Sequence, residues 1–187
     1  MKIILASASP RRAELLAQFG IPFEVQSADI DEEIEIISPE TYVRTLSWKK
    51  AEKIFSENPD AIVIGADTTV VINDEIINKP KDKADAFNML KKLSGNEHKV
   101  YTALTIMDFR QTITESLCTS VFFKQITDSE IEAYIATGEP MDKAGAYGIQ
   151  GVGGLFIDKI NGCYFNVVGL PLSLLYNMLK KFNIHLL

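Results

Sequence analysis

The chain has 187 residues, of which 47% are hydrophobic and 24% charged, and its net charge is −6. That size and apolar share suit one domain, 1–187, with a core of its own, and no linker, low-complexity tract or internal repeat divides it. The acidic balance argues against nucleic acid as a partner, a signal peptide and a membrane-spanning apolar run are not found, and a cytoplasmic protein acting on small molecules is expected.

Residues 2–5 read as a buried strand, Ser9 as an N-cap and Pro10 as the first residue of a helix that runs to about Phe19 and ends at Gly20. Arg11 and Arg12 therefore fall in the first turn, at the positive end of the helix, where each arginine costs roughly 0.3–1 kcal/mol. A bound anion reverses that sign, and serine hydroxyls, helix-start N–H groups and two guanidiniums make a phosphate cradle. Taken alone, the segment can also be read as solvated arginines on a surface turn.

Residues 22–26 read as a second strand, and 28–37 as an acidic loop with Asp31, Glu32, Glu33 and Glu35. Ser38-Pro39-Glu40-Thr41 starts a helix to about Phe55, on which Val43, Leu46, Lys50 and Ile54 share one face. Lys50 then either snorkels outward or meets a buried anion. Residues 61–66 are wholly apolar, the pattern of a central strand, which is expected to end at Asp67-Thr68. Functional groups of open α/β sheets gather at strand ends, so Asp67 is a candidate for chemistry; the other reading is an Asx-turn aspartate.

Asn73-Asp74 joins residues 70–72 and 76–77 as a hairpin that leads to Asn78-Lys79-Pro80, where Pro80 biases Lys79 toward an extended conformation. Asp82 caps a helix to about Leu93, closed by Gly95, and residues 99–109 and 112–123 read as two long antiparallel strands. Thr127-Asp128-Ser129-Glu130 is a capping box for a helix ended at Gly138-Glu139-Pro140. Asn161-Gly162 signals a hairpin between strands at 155–160 and 163–168, and 171–181 form the last helix. Without a regular βαβ period, the expected fold is α/β with α+β character: a single domain with a mixed, elongated central sheet flanked by helices and a ligand cleft at strand ends.

Cys118, Cys163, His98 and His185 stand apart from one another, so a zinc site, a disulfide framework and a His-based triad are not indicated. Chemistry has to run on carboxylates, lysines, arginines and any bound metal. Five of the 11 glycines fall between Lys143 and Gly154, which lets backbone approach a ligand or adopt positive φ. Gln150 is the polar tip of that stretch, able to donate and accept at once, as the edge of a uracil or thymine ring requires. The P-loop and the dinucleotide fingerprint are absent. The scattered candidates Arg11, Arg12, Glu32, Lys50, Asp67, Lys79 and Gln150 suit a triphosphate with a divalent metal.

Ser7-Ala8-Ser9-Pro10-Arg11-Arg12, Gly65-Ala66-Asp67-Thr68, Asn78-Lys79-Pro80, Lys91-Lys92-Leu93-Ser94-Gly95, the run from Asp142 to Gly151 and Val168-Gly169-Leu170-Pro171 together resemble the motifs of the Maf family of nucleoside triphosphate pyrophosphatases. The resemblance covers essentially the whole chain in order. It implies hydrolysis of a nucleoside triphosphate to monophosphate and pyrophosphate with a divalent cation, Mg²⁺ or Mn²⁺, by a cytoplasmic and often dimeric protein. The family's proton acceptor maps onto Asp67, and its specificity positions onto Arg11, Thr68 and Gln150, in the combination of the branch acting on dTTP and UTP. Binding positions map onto Ser7, Arg12, Glu32, Lys50 and Lys79, and Asp67 and Glu32 are the implied metal carboxylates. Two other readings stay open: a nucleotidyltransferase, and a nucleotide-binding regulator of septum formation without turnover. House-cleaning of modified nucleotides and a link to division arrest are compatible with the hydrolase.

Overall fold

Four consecutive apolar residues, Ile3–Ala6, form strand β1, and all four are buried. β1 pairs on both edges: parallel to β2 (Glu24–Gln26) and parallel to β3 (Ile62–Ile72), with Ala6 opposite Gln26 on one side and Gly65 on the other. The remaining strands are β4 (Glu75–Ile77), β5 (Glu97–Met107), β6 (Thr112–Phe123) and β7 (Ile157–Asn161). In this computed structural model the described residues, 2–32, 34 and 38–186, build one seven-stranded sheet in the order β2-β1-β3-β5-β6-β7, with β4 on β3 off that path. Glu33 and Glu35 of the expected acidic loop lie outside the described residues. Antiparallel β3–β4 and β6–β7 beside parallel β1–β3 make the sheet mixed, as expected.

The helices are α1 (Pro10–Ala17), α2 (Pro39–Glu57), α3 (Lys83–Leu93), α4 (Asp128–Ala136), α5 (Tyr164–Val168) and α6 (Leu172–Lys181). Their starts follow local chemistry. Ser38 Oγ accepts the Thr41 N–H at 3.1 Å, Asp82 Oδ1 accepts that of Asp85 at 2.8 Å, and Thr127 and Glu130 close a reciprocal capping box. Asn73 and Asp74 both take positive φ, 51° and 62°, the geometry that a two-residue hairpin turn asks for.

Two expectations are corrected. β3 does not end at Asp67 but runs on to Ile72, because Thr68, Thr69, Val70 and Val71 are β-branched and nothing breaks the strand. What ends is the pairing with β1, at Gly65. The expected strand at 163–168 is instead the short helix α5. Gly162 turns the chain at φ 133°, Cys163 N–H donates to Thr119 Oγ1 at 3.0 Å, and buried Asn166 Nδ2 donates to the Val100 carbonyl at 2.9 Å and to Thr119 Oγ1 at 3.1 Å. These side-chain bonds satisfy polar groups that a hairpin partner strand was expected to satisfy through a ladder.

The chain forms two compact units: Met1–Asp67, Thr102–Leu117 and Gly169–Leu187 in the first, Thr68–Tyr101 and Cys118–Val168 in the second. Ile4, Ala6, Ala51, Ile54, Ala61 and Val63 pack together in the first unit. In the second, Leu90, Val121, Phe123, Tyr134 and Tyr147 belong to a larger core. Cys118 is exposed and Cys163 half-buried, and both are unbridged. No helix among the described residues is long and apolar enough to cross a membrane.

Candidate active site

Asp67 lies within β3, not in a turn, two residues beyond the last β1 pairing, and is 7% exposed. Its place inside a strand removes the Asx-turn reading. Lys50, on the inward face of α2, donates to Asp67 Oδ1 at 2.6 Å and pairs with Glu32 Oε1 at 2.7 Å. Lys50 therefore does not snorkel; it meets buried negative charge supplied by the chain itself. Gly65 makes this possible. A Cβ there would stand 2.3 Å from the Ser47 carbonyl oxygen and 2.9 Å from Ala51 Cβ, so only glycine lets α2 lie close enough to β3 for Lys50, between those residues, to reach Asp67.

Burial pushes the Asp67 carboxyl above its ordinary value of 3.8, although the Lys50 and Arg12 charges pull it down; Glu32 adds to the rise. A carboxylate whose proton affinity is raised is a better base at neutral pH than an ordinary aspartate. That burial is a property of Asp67 that the sequence alone does not show.

Arg12 is tied inward. Its Nε donates to the Gly169 carbonyl at 2.8 Å, and Nη1 donates to the Ala66 carbonyl at 3.0 Å and to Ser7 Oγ at 3.1 Å. Buried Ser7 also accepts the Ser9 N–H at 3.2 Å, and the Ser9 side chain caps nothing at the start of α1. Burial lowers the Arg12 pKa, Asp67 opposes that, and the neighbouring Arg11 charge lowers it further. Arg12 thus fastens the helix start to the residue before Asp67, and Arg11 is half-buried in the same first turn. Among the sequence-derived candidates, Ser7, Arg11, Arg12, Glu32, Lys50 and Asp67 all belong to the first unit.

Thr68, Lys79 and Gln150 belong to the second unit. Thr68 is half-buried on β3; Lys79 is exposed in the bend after β4; Gln150 is exposed in a turn just ahead of a 3₁₀ segment, Val152–Phe156. Two residues that are not among the sequence-derived site candidates hold these segments. Asn78 accepts Thr69 Oγ1–H at its side-chain oxygen at 3.3 Å and the Gly145 N–H at its carbonyl at 3.1 Å, which ties the lysine's segment to β3 and to the glycine-rich run. Glu139 hydrogen-bonds the far end of that run, accepting from the Val152 and Gly153 N–H groups at 2.9 and 3.2 Å. The only sequence signal for Glu139 is a lone carboxylate just past a helix end and ahead of closely spaced glycines.

Among the described residues no group of three or more His, Cys, Asp or Glu side chains could hold a metal ion. Glu32 and Asp67 nevertheless turn hard oxygen donors toward one cation, the Lys50 ammonium. One or two carboxylates with phosphate oxygens and water is the usual donor set for Mg²⁺, so these two residues fit such an ion in the presence of a nucleotide.

The profile of the family described as Maf-like protein matches residues 2–182. The chain is 50% identical over 191 residues, 100% of both sequences, to a Clostridium novyi protein named dTTP/UTP pyrophosphatase. It is 48% identical over 183 residues to a protein of the same name from Carboxydothermus hydrogenoformans, covering 97% of this chain and 98% of that one. A solved structure of the Staphylococcus aureus Ham1 protein covers 66% of this chain and 72% of its own at 13% identity and a TM-score of 0.45. With its motifs in order and the family profile matched nearly from end to end, this chain belongs to the Maf family.

Proposed function

We propose that this protein hydrolyses dTTP and UTP to the monophosphate and pyrophosphate, the activity named in its full-length relatives. The observation that carries the reading is the buried Asp67 carboxylate, raised in proton affinity and held by Lys50 at 2.6 Å. Lys50 fixes Oδ1 and so leaves proton transfer to Oδ2. In this reading a water attacks the α-phosphorus, Asp67 takes its proton, the bond from that phosphorus to the bridging oxygen breaks, and pyrophosphate leaves. Arg11, Lys50 and Lys79 absorb triphosphate charge, and Arg12 with Ser7 sets the start of α1 against the chain at Ala66. Thr68, Gln150 and Arg11 discriminate the base. A divalent ion, Mg²⁺ or Mn²⁺, held by Asp67 and Glu32 would supply further neutralisation of phosphate charge. We place the enzyme in the cytoplasm, acting on nucleotides that include modified ones, and as a homodimer.

The test is pyrophosphate release by the purified protein, with Mg²⁺ or Mn²⁺, from dTTP, UTP, CTP, ATP, GTP and 7-methyl-GTP. Release fastest from dTTP and UTP is the expected result. Release from another base alone keeps the reaction and removes the assignment of Thr68 and Gln150. No release from any nucleotide overturns the reading in favour of binding without turnover.

A further inference from the structure

The glycines between Lys143 and Gly154 bring backbone up to a carboxylate of this same chain. A Cβ added at Gly151 would stand 2.4 Å from Glu139 Oε1, and one at Gly153 would stand 2.5 Å from Tyr134 Oη. A Cβ at either position would displace the side-chain oxygen it meets. Glu139 Oε2 accepts the Val152 N–H at 2.9 Å, and Oε1 accepts the Gly153 N–H at 3.2 Å and the Tyr134 O–H at 2.8 Å. Tyr134 Oη in turn accepts the Gly148 N–H at 3.1 Å. One clamp therefore holds Gly148 and the other holds Val152 and Gly153, with Ile149, exposed Gln150 and Gly151 as the span between them. Glu139 is itself fixed: its N–H donates to Thr137 Oγ1 at 3.1 Å, and its carbonyl accepts from Lys143 Nζ at 2.6 Å.

We propose that Glu139, acting with Tyr134, is a positioning residue for base selection: it sets the turn on which Gln150 meets the pyrimidine edge and touches no substrate itself. This rests on the proposed role of Gln150 in discriminating the base. A carboxamide matches a donor and an acceptor on one base edge only if both its atoms are held in register, because hydrogen bonds weaken steeply with angle. A loosened turn leaves the phosphate contacts intact and lets the amide swing, so discrimination falls while turnover at saturation persists.

The experiment compares kcat and KM for UTP and CTP in the full chain and in Glu139→Ala, Glu139→Gln, Tyr134→Phe and Gln150→Ala. The expected result is a fall of roughly tenfold in the UTP over CTP ratio of kcat/KM in Glu139→Ala, Tyr134→Phe and Gln150→Ala. In Glu139→Ala and Tyr134→Phe, kcat for UTP stays within about twofold, as expected for a binding-step effect. Glu139→Gln, which keeps an acceptor oxygen, falls between, and amide hydrogen exchange quickens at 148–153 in Glu139→Ala. If Glu139→Ala does not fold, Tyr134→Phe, which removes only the hydroxyl, carries the test. A ratio that falls in Gln150→Ala but stays at the wild-type value in the folded Glu139 and Tyr134 variants overturns the proposal. So does an equal loss for both nucleotides. A ratio unmoved by Gln150→Ala overturns the reading of Gln150 and the proposal with it, whereas absence of UTP hydrolysis in the wild type overturns the proposed function.

Discussion

Asp67 in the first unit is a buried carboxylate and Glu139 in the second a half-buried one, and their surroundings shift them in opposite directions. At Asp67 burial outweighs the Lys50 and Arg12 charges, and its proton affinity rises. At Glu139 burial also works upward, but the Tyr134 hydroxyl, the Val152 and Gly153 N–H groups and the Lys143 charge outweigh it, and its proton affinity falls below the ordinary value of 4.5. The difference is one of burial and of partners: Asp67 is 7% exposed, whereas Glu139 is only half-buried. Glu139 receives three hydrogen bonds that favour its charged form, as a structural anchor requires. Asp67 faces one lysine that it shares with Glu32, which leaves it able to accept a proton.

Asp67→Asn tests that contrast most directly. Turnover is expected to fall by about 10²–10⁴-fold, the usual worth of a general base, with binding of a nonhydrolysable UTP analogue kept within a few-fold by calorimetry. Near-normal pyrophosphate release would remove Asp67 from the chemistry.

Lys50→Gln should sharpen the same contrast through pH. With Asp67 as the proposed base, activity needs it ionised, so in the wild type kcat/KM is expected to fall as pH drops through a midpoint above 3.8, the direction in which Asp67 is shifted. Removing Lys50 deletes the strongest charge holding that value down, and the limb moves to higher pH, with kcat/KM at neutral pH lower by about tenfold or more. A limb that stays in place breaks the link between Lys50 and Asp67. Glu139→Gln should leave the midpoint where it is.

Gly65→Ala asks whether the close approach of α2 to β3 sets the site. Its Cβ would lie 2.3 Å from the Ser47 carbonyl oxygen, which is backbone and cannot swing aside. Overpacking of this kind costs about 1–3 kcal/mol. The melting temperature should drop by about 2–4 °C per kcal/mol, read by calorimetry. An unchanged melting temperature with unchanged kcat/KM would show that the helix has room to shift.

The smallest expected effect concerns a third titratable group, His98 in the second unit. It is buried, its Nε2 bonds Tyr147 Oη at 2.8 Å, its Nδ1 has no hydrogen-bond partner among the described residues, and burial lowers its pKa from 6.5 to about 4. The unfolded chain therefore binds the proton first as pH falls, so stability is full above 6.5 and declines toward 4, by up to about 1.4 kcal/mol per pH unit. His98→Phe should flatten that part of a denaturation-versus-pH curve and change little at pH 8. A slope that persists in His98→Phe assigns it to other groups.

Much of the fold was legible because it is written within a few residues. Ser38, Asp82 and the Thr127–Glu130 box cap helices where they were expected to, and Asn73-Asp74 turns a hairpin. The Asn161-Gly162 signal failed because distant partners, Thr119 and Val100, hold residues 163–166 in a helical turn. At the site, the sequence picked out Lys50 by its helix face and Asp67 by its strand, but not that the two meet. In the sequence the glycines of 143–154 read as serving a ligand or positive φ; Gly145 does take φ 71°, while Gly151 and Gly153 lie against the Glu139 and Tyr134 side chains.

Family membership, most of the strands and helices up to Asn161 and the identity of the charged candidates came from the chain alone, since periodicity, caps and motifs are local. Only the tertiary structure decided which cation answers Asp67, that Arg12 is bound to backbone, and that Glu139 holds the turn bearing Gln150. The physical reason is that a carboxylate's behaviour depends on burial and on donors within about 3 Å. Those donors come from residues 17 positions away at Lys50 and 13 to 14 away at Val152 and Gly153.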